Sequence, residues 1–313
     1  MEVLFTFVPK DHQQEMLEKE FPNVDFHFTK QDKSRLSHAE IVVTYGEDLT
    51  AEDIEKAANL KWIMVASAGV EKMPHKAILE KGITVSNVRG IHKIPMAESV
   101  LAHLLSIKRS LPTIYEKQTQ REWHRKIRSS ELSGSTALII GPGAIGGEIG
   151  RLLQAFGVST IGCNRSGKQA DYMNEMVSFE NILEVLPKAD TVISVVPSTE
   201  ETRGMLGSEH FKAMKSQAIF MNFGRGDLVP DDVLVKALND GEIGYAVLDV
   251  FEQEPLPSDH PLWGMENVVV SPHVSSHSGR YVERALEIFA PNLKKWLENN
   301  SDLTNQVNME KGY

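Results

Sequence analysis

The sequence predicts an α/β protein with two Rossmann-like or flavodoxin-like domains, each built around a parallel sheet. Three observations lead to this prediction. Short apolar, β-branched segments alternate with amphipathic helical segments along nearly all of the 313 residues. Many of the strand-like segments are apolar without interruption, as strands covered by helices on both faces must be. A glycine-rich turn follows one such strand near the middle of the chain.

The first series of strands and helices fills the N-terminal third. One of its helical segments opens with Thr50 as the expected N-cap, with Asp53 three positions later. A longer helical segment, residues 94–120, follows the series and is expected to kink or break at Pro112. The strands of the first series are VLFTFV (3–8), DFHFT (25–29), EIVVTYG (40–46), KWIMVAS (61–67) and GITVSN (82–87).

A second series of strands begins after this helical segment. The last helix of the chain, residues 278–300, is expected to return to the first domain. We therefore expect a second domain, residues 99–282, inserted into a first domain made of residues 1–98 and 283–313. The strands of the second series are TALIIG (136–141), VSTIGC (158–163), TVISVVP (191–197), AIFMNFG (218–224), YAVLDVF (245–251) and VVVSPH (268–273).

The composition excludes several classes of protein. A formal net charge of −10 disfavours a surface that binds nucleic acid or an anionic membrane. The single cysteine, Cys163, rules out an internal disulfide framework. Neither C-x-x-C nor H-E-x-x-H occurs, so no metal is expected. No apolar run is long enough to span a membrane, and the N-terminus lacks the features of a secretion signal, so we expect a cytoplasmic protein.

The glycine turn reads GPGAIG and has the spacing G-x-G-x-x-G. Gly141 would permit the tight turn, Gly143 would let the backbone approach a pyrophosphate, and Gly146 would let the helix pack closely on the strand. Because an apolar strand precedes the turn and a helical segment follows it, we expect a dinucleotide here, with Ala144 and Ile145 at the helix N-terminus that faces it. A plain strand–helix turn is the alternative.

The end of the next strand bears on the identity of the cofactor. Sites for NAD usually place a carboxylate there to accept hydrogen bonds from the ribose hydroxyls. This chain has Asn164, Arg165 and Ser166 at that position. Their hydrogen-bond donors can bind a 2′-phosphate, which a carboxylate would repel. We therefore expect NADP(H) to be preferred. If Arg165 is merely solvated, NAD(H) remains possible.

Ionisable residues follow three strands of the second series. Arg225 comes after AIFMNFG, Glu254 soon after YAVLDVF, and His273 at the end of VVVSPH. Ligands of open parallel sheets bind beyond the carboxyl ends of the strands, so these side chains are expected to lie together. Reduction of a 2-keto acid needs a proton donor, a cation for the carboxylate and a group that tunes the donor. Surface or capping roles are the alternatives for all three.

These segments resemble the D-isomer specific 2-hydroxyacid dehydrogenases over nearly the whole chain. The most specific segments are residues 141–157, 222–257 and 267–276. The resemblance implies that Arg225 binds substrate and that Glu254 pairs with His273, the general acid and base. It also implies that Asp249 contacts the nicotinamide amide.

The resemblance extends to two further sets of residues. It implies that backbone amides of a loop in the first domain hold the substrate carboxylate and that residues of the strand-end loops contact the cofactor. The substrate-loop residues are Ala68, Gly69 and Val70, and the additional cofactor residues are Val196, Pro197, Thr202, Phe223 and Gly224.

The basic turn at Arg165 departs from the NAD-linked members and looks more like that of NADPH-linked glyoxylate/hydroxypyruvate reductases. The resemblance then implies reduction of a small 2-keto acid to a D-2-hydroxy acid, and the reverse, by a homodimer whose contact includes the helix beginning near Met96. Two alternatives stay open. One is an NAD-dependent D-2-hydroxyacid dehydrogenase with another substrate, and the other is a cofactor-sensing binding protein of the corepressor type.

Overall fold

The computed structural model describes residues 1–30, 32–67, 69–70, 72–300 and 302–309. The chain divides into two compact units, one of Met1–Ile91 and Ser278–Tyr313 and one of His92–His277. Both boundaries fall a few residues before the expected positions. The helix Lys93–Lys108 packs along the helix Ala144–Ala155, so the chain has joined the second unit before residue 98.

The first unit contains a five-stranded sheet in which every pair of neighbours is parallel. The strand order is β2-β1-β3-β4-β5, the flavodoxin-like arrangement. The strands are β1 (Glu2–Phe5), β2 (Asp25–Phe28), β3 (Ile41–Thr44), β4 (Trp62–Val65) and β5 (Thr84–Asn87), and the helices are α1 (Asp11–Glu20), α2 (Ala51–Lys56), α3 (His75–Glu80) and α9 (Tyr281–Leu297).

Local sequence accounts for two features of the first unit. Thr50 caps α2 as predicted, since its hydroxyl accepts from the Asp53 amide at 3.2 Å while the Asp53 carboxylate accepts from the Thr50 amide at 2.9 Å. The last helix, α9, turns an apolar face to the sheet, where Phe289 packs against Phe5 and Trp62. The C-terminal helix therefore completes the core of the N-terminal unit.

The second unit contains a seven-stranded parallel sheet in the order β12-β11-β10-β9-β6-β7-β8. The order reverses between β6 and β9, which is where open α/β sheets bind ligands. The strands are β6 (Thr136–Ile140), β7 (Ser159–Asn164), β8 (Glu175–Ser178), β9 (Thr191–Ser194), β10 (Ile219–Asn222), β11 (Tyr245–Leu248) and β12 (Val268–Val270), and the helices are α4 (Lys93–Lys108), α5 (Leu111–Thr119), α6 (Ala144–Ala155), α7 (Ser208–Ala213) and α8 (Asp231–Asn239).

The second unit differs from the sequence-based expectation in two places. Strand β8 was not predicted, because EMVS at the sheet edge carries polar residues and is only partly buried. The segment 178–189 has the sequence SFENILEVLPKA, whose pattern predicts one helix, but it forms two short 3-10 helices, Phe179–Glu184 and Leu186–Lys188. The expected break near Pro112 is confirmed, since α4 and α5 are separated at Arg109 and Ser110 and Pro112 lies in the first turn of α5. Among the described residues, no helix is both long enough and apolar enough to cross a membrane.

Candidate functional site

The glycine turn between β6 and α6 contains two positions at which the fold itself has no room for a side chain. Gly141 has φ +91°, and a Cβ there would lie 2.9 Å from the Val196 side chain. A Cβ on Gly146 would lie 2.4 Å from the Gly141 carbonyl oxygen. Gly143 is different, because its φ is −83° and a Cβ there would meet no described atom within 4 Å. The space beside Gly143 is free for a ligand to approach the backbone.

Helix α6 begins directly after this turn. Its first-turn amides have no acceptor within the helix and carry the partial positive charge of the helix dipole. The first turn contains no acidic residue, and Ala144 is exposed while Ile145 is half-buried. Open space beside Gly143 and the amides of α6 together form a cradle that fits a dinucleotide pyrophosphate.

The turn after β7 is closed by Asn164. The side-chain oxygen of Asn164 accepts from the Ser166 amide at 3.1 Å, and its nitrogen donates to the Lys168 carbonyl at 2.9 Å. Asn164 thus shapes the turn from inside, whereas Arg165 and Ser166 are exposed. Arg165 forms an ion pair with Glu201, a residue that sequence reasoning did not identify.

The loop after β9 lies against the glycine turn. Val196 is buried behind Gly141, and Pro197 is exposed. Thr202 is buried, and its hydroxyl donates to the Pro197 carbonyl at 2.6 Å and accepts from the Thr199 amide at 2.8 Å. The Thr202 hydroxyl therefore closes this loop, and the expected contact of Thr202 with the cofactor stays a prediction.

Arg225 is presented by a tightly packed loop after β10. A Cβ on Gly224 would lie 2.5 Å from the Val196 carbonyl oxygen, and one on Gly226 would lie 1.9 Å from the Phe251 carbonyl carbon. The two glycines flanking Arg225 therefore let its loop contact the backbone on both sides. The guanidinium donates to the Gly224 carbonyl at 2.9 Å, and no carboxylate in the described part of the chain pairs with it.

The residues before Arg225 support the loop from within. The Asn222 side chain donates to the Arg225 carbonyl at 2.9 Å and accepts from the Gly224 amide at 3.1 Å. The Phe223 side chain is buried in the core of the second unit. The ring packs inward, and the expected contact of Phe223 with the cofactor stays a prediction.

Glu254 and His273 form the direct pair that the sequence predicted. The imidazole Nδ1 lies 2.8 Å from Glu254 Oε2, and the other carboxylate oxygen accepts from the Phe251 amide at 3.1 Å. A carboxylate accepts hydrogen bonds, so Nδ1 donates, and Nε2 is the ring nitrogen left for a reacting group. His273 also has φ +54°, a left-handed backbone conformation that is uncommon for residues other than glycine.

Asp249 holds the loop that carries His273. Its side chain is buried, with only 1% of the residue exposed. The carboxylate accepts from the Ser271 hydroxyl at 2.5 Å, from the Val274 amide at 3.0 Å, and from the amide and hydroxyl of Ser275. Both of its oxygens are thus bonded inside the protein, and the expected contact of Asp249 with the nicotinamide amide stays a prediction.

Three predicted residues are connected through one series of contacts at the carboxyl ends of β10, β11 and β12. Gly226, next to Arg225, packs on the backbone of Phe251, and the Phe251 amide bonds Glu254, which in turn bonds His273. The parallel pairing of these strands brings their ends to one edge of the sheet. A cation, an acid–base group and its carboxylate partner therefore share one edge of the sheet that carries the glycine turn.

The expected substrate loop belongs to the first unit. Ala68 lies outside the described residues. The Gly69 carbonyl accepts from the Ser67 hydroxyl at 2.8 Å. The Val70 side chain is buried in the core, and its carbonyl accepts from the Met73 amide and from His75. Any contact of Val70 with a ligand is thus limited to its backbone.

One cluster outside these regions has side chains of the types that bind metals. Glu2, Asp25 and His27 place ligand atoms within 4.8 Å of one another. Arg35 donates to both carboxylate oxygens of Glu2, at 2.7 and 3.2 Å, and this hydrogen bonding lowers the pKa of Glu2. The positive charge of Arg35 on Glu2 repels a metal cation, so we assign no metal to the cluster.

Comparison with known proteins identifies the family. Residues 101–275 match the model for the NAD binding domain of D-isomer specific 2-hydroxyacid dehydrogenases. The chain is 36% identical to a D-3-phosphoglycerate dehydrogenase of Methanocaldococcus jannaschii over 86% of its own length, but it spans only 51% of that relative. It is 34% identical to a glyoxylate reductase of Korarchaeum cryptofilum, over 79% of this chain and 76% of the relative.

Solved structures give the same result. A D-isomer specific 2-hydroxyacid dehydrogenase family protein from Aeromonas salmonicida superposes with a TM-score of 0.85 at 31% identity, covering 98% of this chain and 99% of the other. A second, from Xanthobacter autotrophicus in complex with NADPH and MES, has a TM-score of 0.80 at 25% identity, covering 100% and 99%. The chain belongs to the D-isomer specific 2-hydroxyacid dehydrogenase family.

Proposed function

We propose that the chain is an NADPH-dependent reductase that converts a small 2-keto acid, of the size of glyoxylate or hydroxypyruvate, to the D-2-hydroxy acid, and catalyses the reverse reaction. The observation that carries the proposal is the hydrogen bond between His273 and Glu254 at the sheet edge where Arg225 also lies. Bound NADPH supplies the hydride. The protein supplies the proton, the positive charge and the orientation of the substrate.

His273 is the proposed acid and base. With Nδ1 donating to Glu254, Nε2 is directed to the substrate and gives its proton to the carbonyl oxygen during reduction. Glu254 accepts the hydrogen bond from Nδ1 and so fixes the orientation of the ring. In the direction of oxidation, Nε2 takes the proton back from the hydroxyl group.

Arg225 is the proposed partner of the substrate carboxylate. Its forked guanidinium matches a carboxylate in geometry, and no acidic side chain of the described residues occupies it. Its charge also stabilises the negative charge that develops on the carbonyl oxygen. Gly69 and the backbone of Val70 remain proposed contacts of the substrate carboxylate. The homodimer expected from the resemblance also remains a prediction.

The proposed preference for NADPH depends on the turn after β7. Arg165 and Ser166 are exposed there, and no residue of the turn from Asn164 to Lys168 is acidic. A charge-assisted hydrogen bond to the 2′-phosphate is worth about 1.5–3 kcal/mol, or about ten- to a hundred-fold in affinity. The relative solved with NADPH supports the same proposal. An NAD-dependent dehydrogenase is the second candidate, because the family model describes an NAD binding domain.

The test is a steady-state assay of glyoxylate, hydroxypyruvate and larger 2-keto acids with NADPH and with NADH. We expect His273→Ala to lower kcat by about 10²–10⁴-fold, the usual contribution of a general acid, while the Kd of NADPH stays unchanged. His277→Ala is the matched control, since His277 lies on the same exposed loop without bonding Glu254. Full activity of His273→Ala would refute the assignment, and equal kcat/KM values for NADPH and NADH would refute the cofactor preference.

A further inference from the structure

The ion pair between Arg165 and Glu201 joins two different loops of the second unit. Arg165 follows β7, and Glu201 lies on the loop after β9. Their side chains are 71% and 48% exposed. An exposed pair of this kind adds little to stability. Its consequence lies in ligand binding, because Arg165 is the group proposed to bind the 2′-phosphate.

Both loops hold their charged residues in place. The buried hydroxyl of Thr202, next to Glu201, bonds Pro197 and Thr199, and the Arg203 amide donates to the Thr199 carbonyl at 3.0 Å. On the other side, the side chain of Asn164 closes the turn that carries Arg165. A closed turn therefore holds each partner, the Glu201 carboxylate on one side and the Arg165 guanidinium on the other.

Among the described residues, the charged neighbours Glu200 and Arg203 form no ion pair with Glu201 or Arg165. Arg203 instead bonds the Ser198 hydroxyl at 3.0 Å and lies 3.4 Å from the Asp227 carboxylate. Within the described residues, Glu200 is exposed and has no ion-pair partner. A 2′-phosphate bound by Arg165 would compete with the Glu201 carboxylate for the same guanidinium donors.

We propose that Glu201 occupies the position of the 2′-phosphate in the absence of cofactor, and that Arg165 exchanges this carboxylate for the phosphate when NADPH binds. Glu201 is then a specificity-determining residue that acts through Arg165. It keeps the guanidinium oriented, lowers the affinity for NADPH and leaves that for NADH unaffected. The inference depends on the proposed role of Arg165 in binding NADPH.

The test measures the Kd values of NADPH and NADH by calorimetry on the full chain, without turnover. Glu201→Gln keeps the size of the side chain and removes its charge. We expect this substitution to lower the Kd of NADPH by about two- to five-fold, the range of an exposed ion pair, and to leave the Kd of NADH unchanged. Glu200→Gln is the matched control and should change the Kd of NADPH less than Glu201→Gln does.

A double-mutant cycle with Arg165→Ala separates the possible outcomes. In that background Glu201→Gln should have no effect on the Kd of NADPH. The exchange is refuted if Glu201→Gln leaves the Kd of NADPH unchanged, tightens NADH equally, or acts as strongly without Arg165. If Arg165→Ala itself leaves the Kd of NADPH unchanged, the proposed cofactor preference fails as well. If Arg165→Ala weakens NADPH while Glu201→Gln has no effect, only the exchange fails.

Discussion

The two sheets share a parallel architecture but differ in the connections at their strand ends. In the first unit, β1 leads to α1 through a segment without glycine, and Asp11 in the first turn of α1 already complements the helix dipole. In the second unit, β6 leads to α6 through the glycine turn, and the first turn of α6 has no acidic residue. Of these two connections, only the one between β6 and α6 therefore leaves the helix N-terminus available to an anion.

The polar residues at other strand ends differ in the same way. Thr44, at the end of β3, donates to the Asp48 side chain in the next turn. Arg225 and His273 of the second unit are exposed instead. The polar group at this strand end of the first unit therefore closes a turn, whereas two strand ends of the second unit carry charged groups that a ligand can reach.

The strongest test of this difference changes glycines in the two units. We expect Gly146→Ala to lower the free energy of unfolding by about 1–3 kcal/mol and to weaken NADPH binding at least tenfold, because its Cβ would lie 2.4 Å from the backbone of Gly141. Gly143→Ala meets no described atom, so it should weaken NADPH binding while the unfolding free energy stays within about 0.5 kcal/mol. Denaturant unfolding and calorimetric titration measure both quantities.

The control for the glycine test lies in the first unit. Gly82 has φ +65° and no described atom within 4 Å of a Cβ, so Gly82→Ala should cost about 1–2 kcal/mol of stability through strain alone and leave the Kd of NADPH unchanged. Undiminished NADPH binding by Gly143→Ala would show that the space beside this glycine is not used by the cofactor.

A smaller effect is expected from the carboxylates that hold loops in each unit. Asp249→Asn places an amide donor among the donors of Ser271, Val274 and Ser275, so it should cost about 1–3 kcal/mol of stability. It should also lower kcat about tenfold, because the loop that carries His273 shifts. Asp48→Asn, in the first unit, should leave kcat unchanged. Normal kcat and an unaltered pH profile in Asp249→Asn would show that this carboxylate does not position His273.

The smallest expected signal comes from Cys163, the single cysteine of the chain. Burial raises the pKa of the Cys163 thiol to about 12. Because the raised pKa leaves almost no thiolate at neutral or mildly alkaline pH, we expect an aromatic disulfide reagent to label the folded protein only through opening of the second unit. Saturating NADPH should slow this labelling further. Rapid labelling of the native protein would contradict the burial of the Cys163 thiol.

The sequence was most informative where burial dictates residue type. The apolar segments around Leu138, Val192 and Val247 could only be strands covered on both faces, and parallel pairing then brought Arg225, Glu254 and His273 to one edge. Strand β8 could not be predicted in the same way, because an edge strand needs neither a continuous apolar run nor burial of both faces.

The feature of the site that the sequence could not predict is the direction of side chains. A strand-end aspartate, threonine or phenylalanine can face a ligand or the protein, and the sequence does not distinguish the two. In the structure Asp249, Thr202 and Phe223 face the protein. Glu201 was missed for a related reason, since its partner Arg165 lies on a distant segment and only the fold brings the two loops together.

The interrupted first unit has a consequence for synthesis on the ribosome. Phe5 and Trp62 emerge early, but Phe289, which packs against both, is made only after the entire second unit. The core of the first unit cannot close until Phe289 has been made, whereas residues 92–277 form a continuous stretch that contains all of its own sheet. In the nascent chain, the apolar surface of the first unit therefore stays uncovered until after the second unit can fold. This reverses the usual order, in which the N-terminal domain folds first.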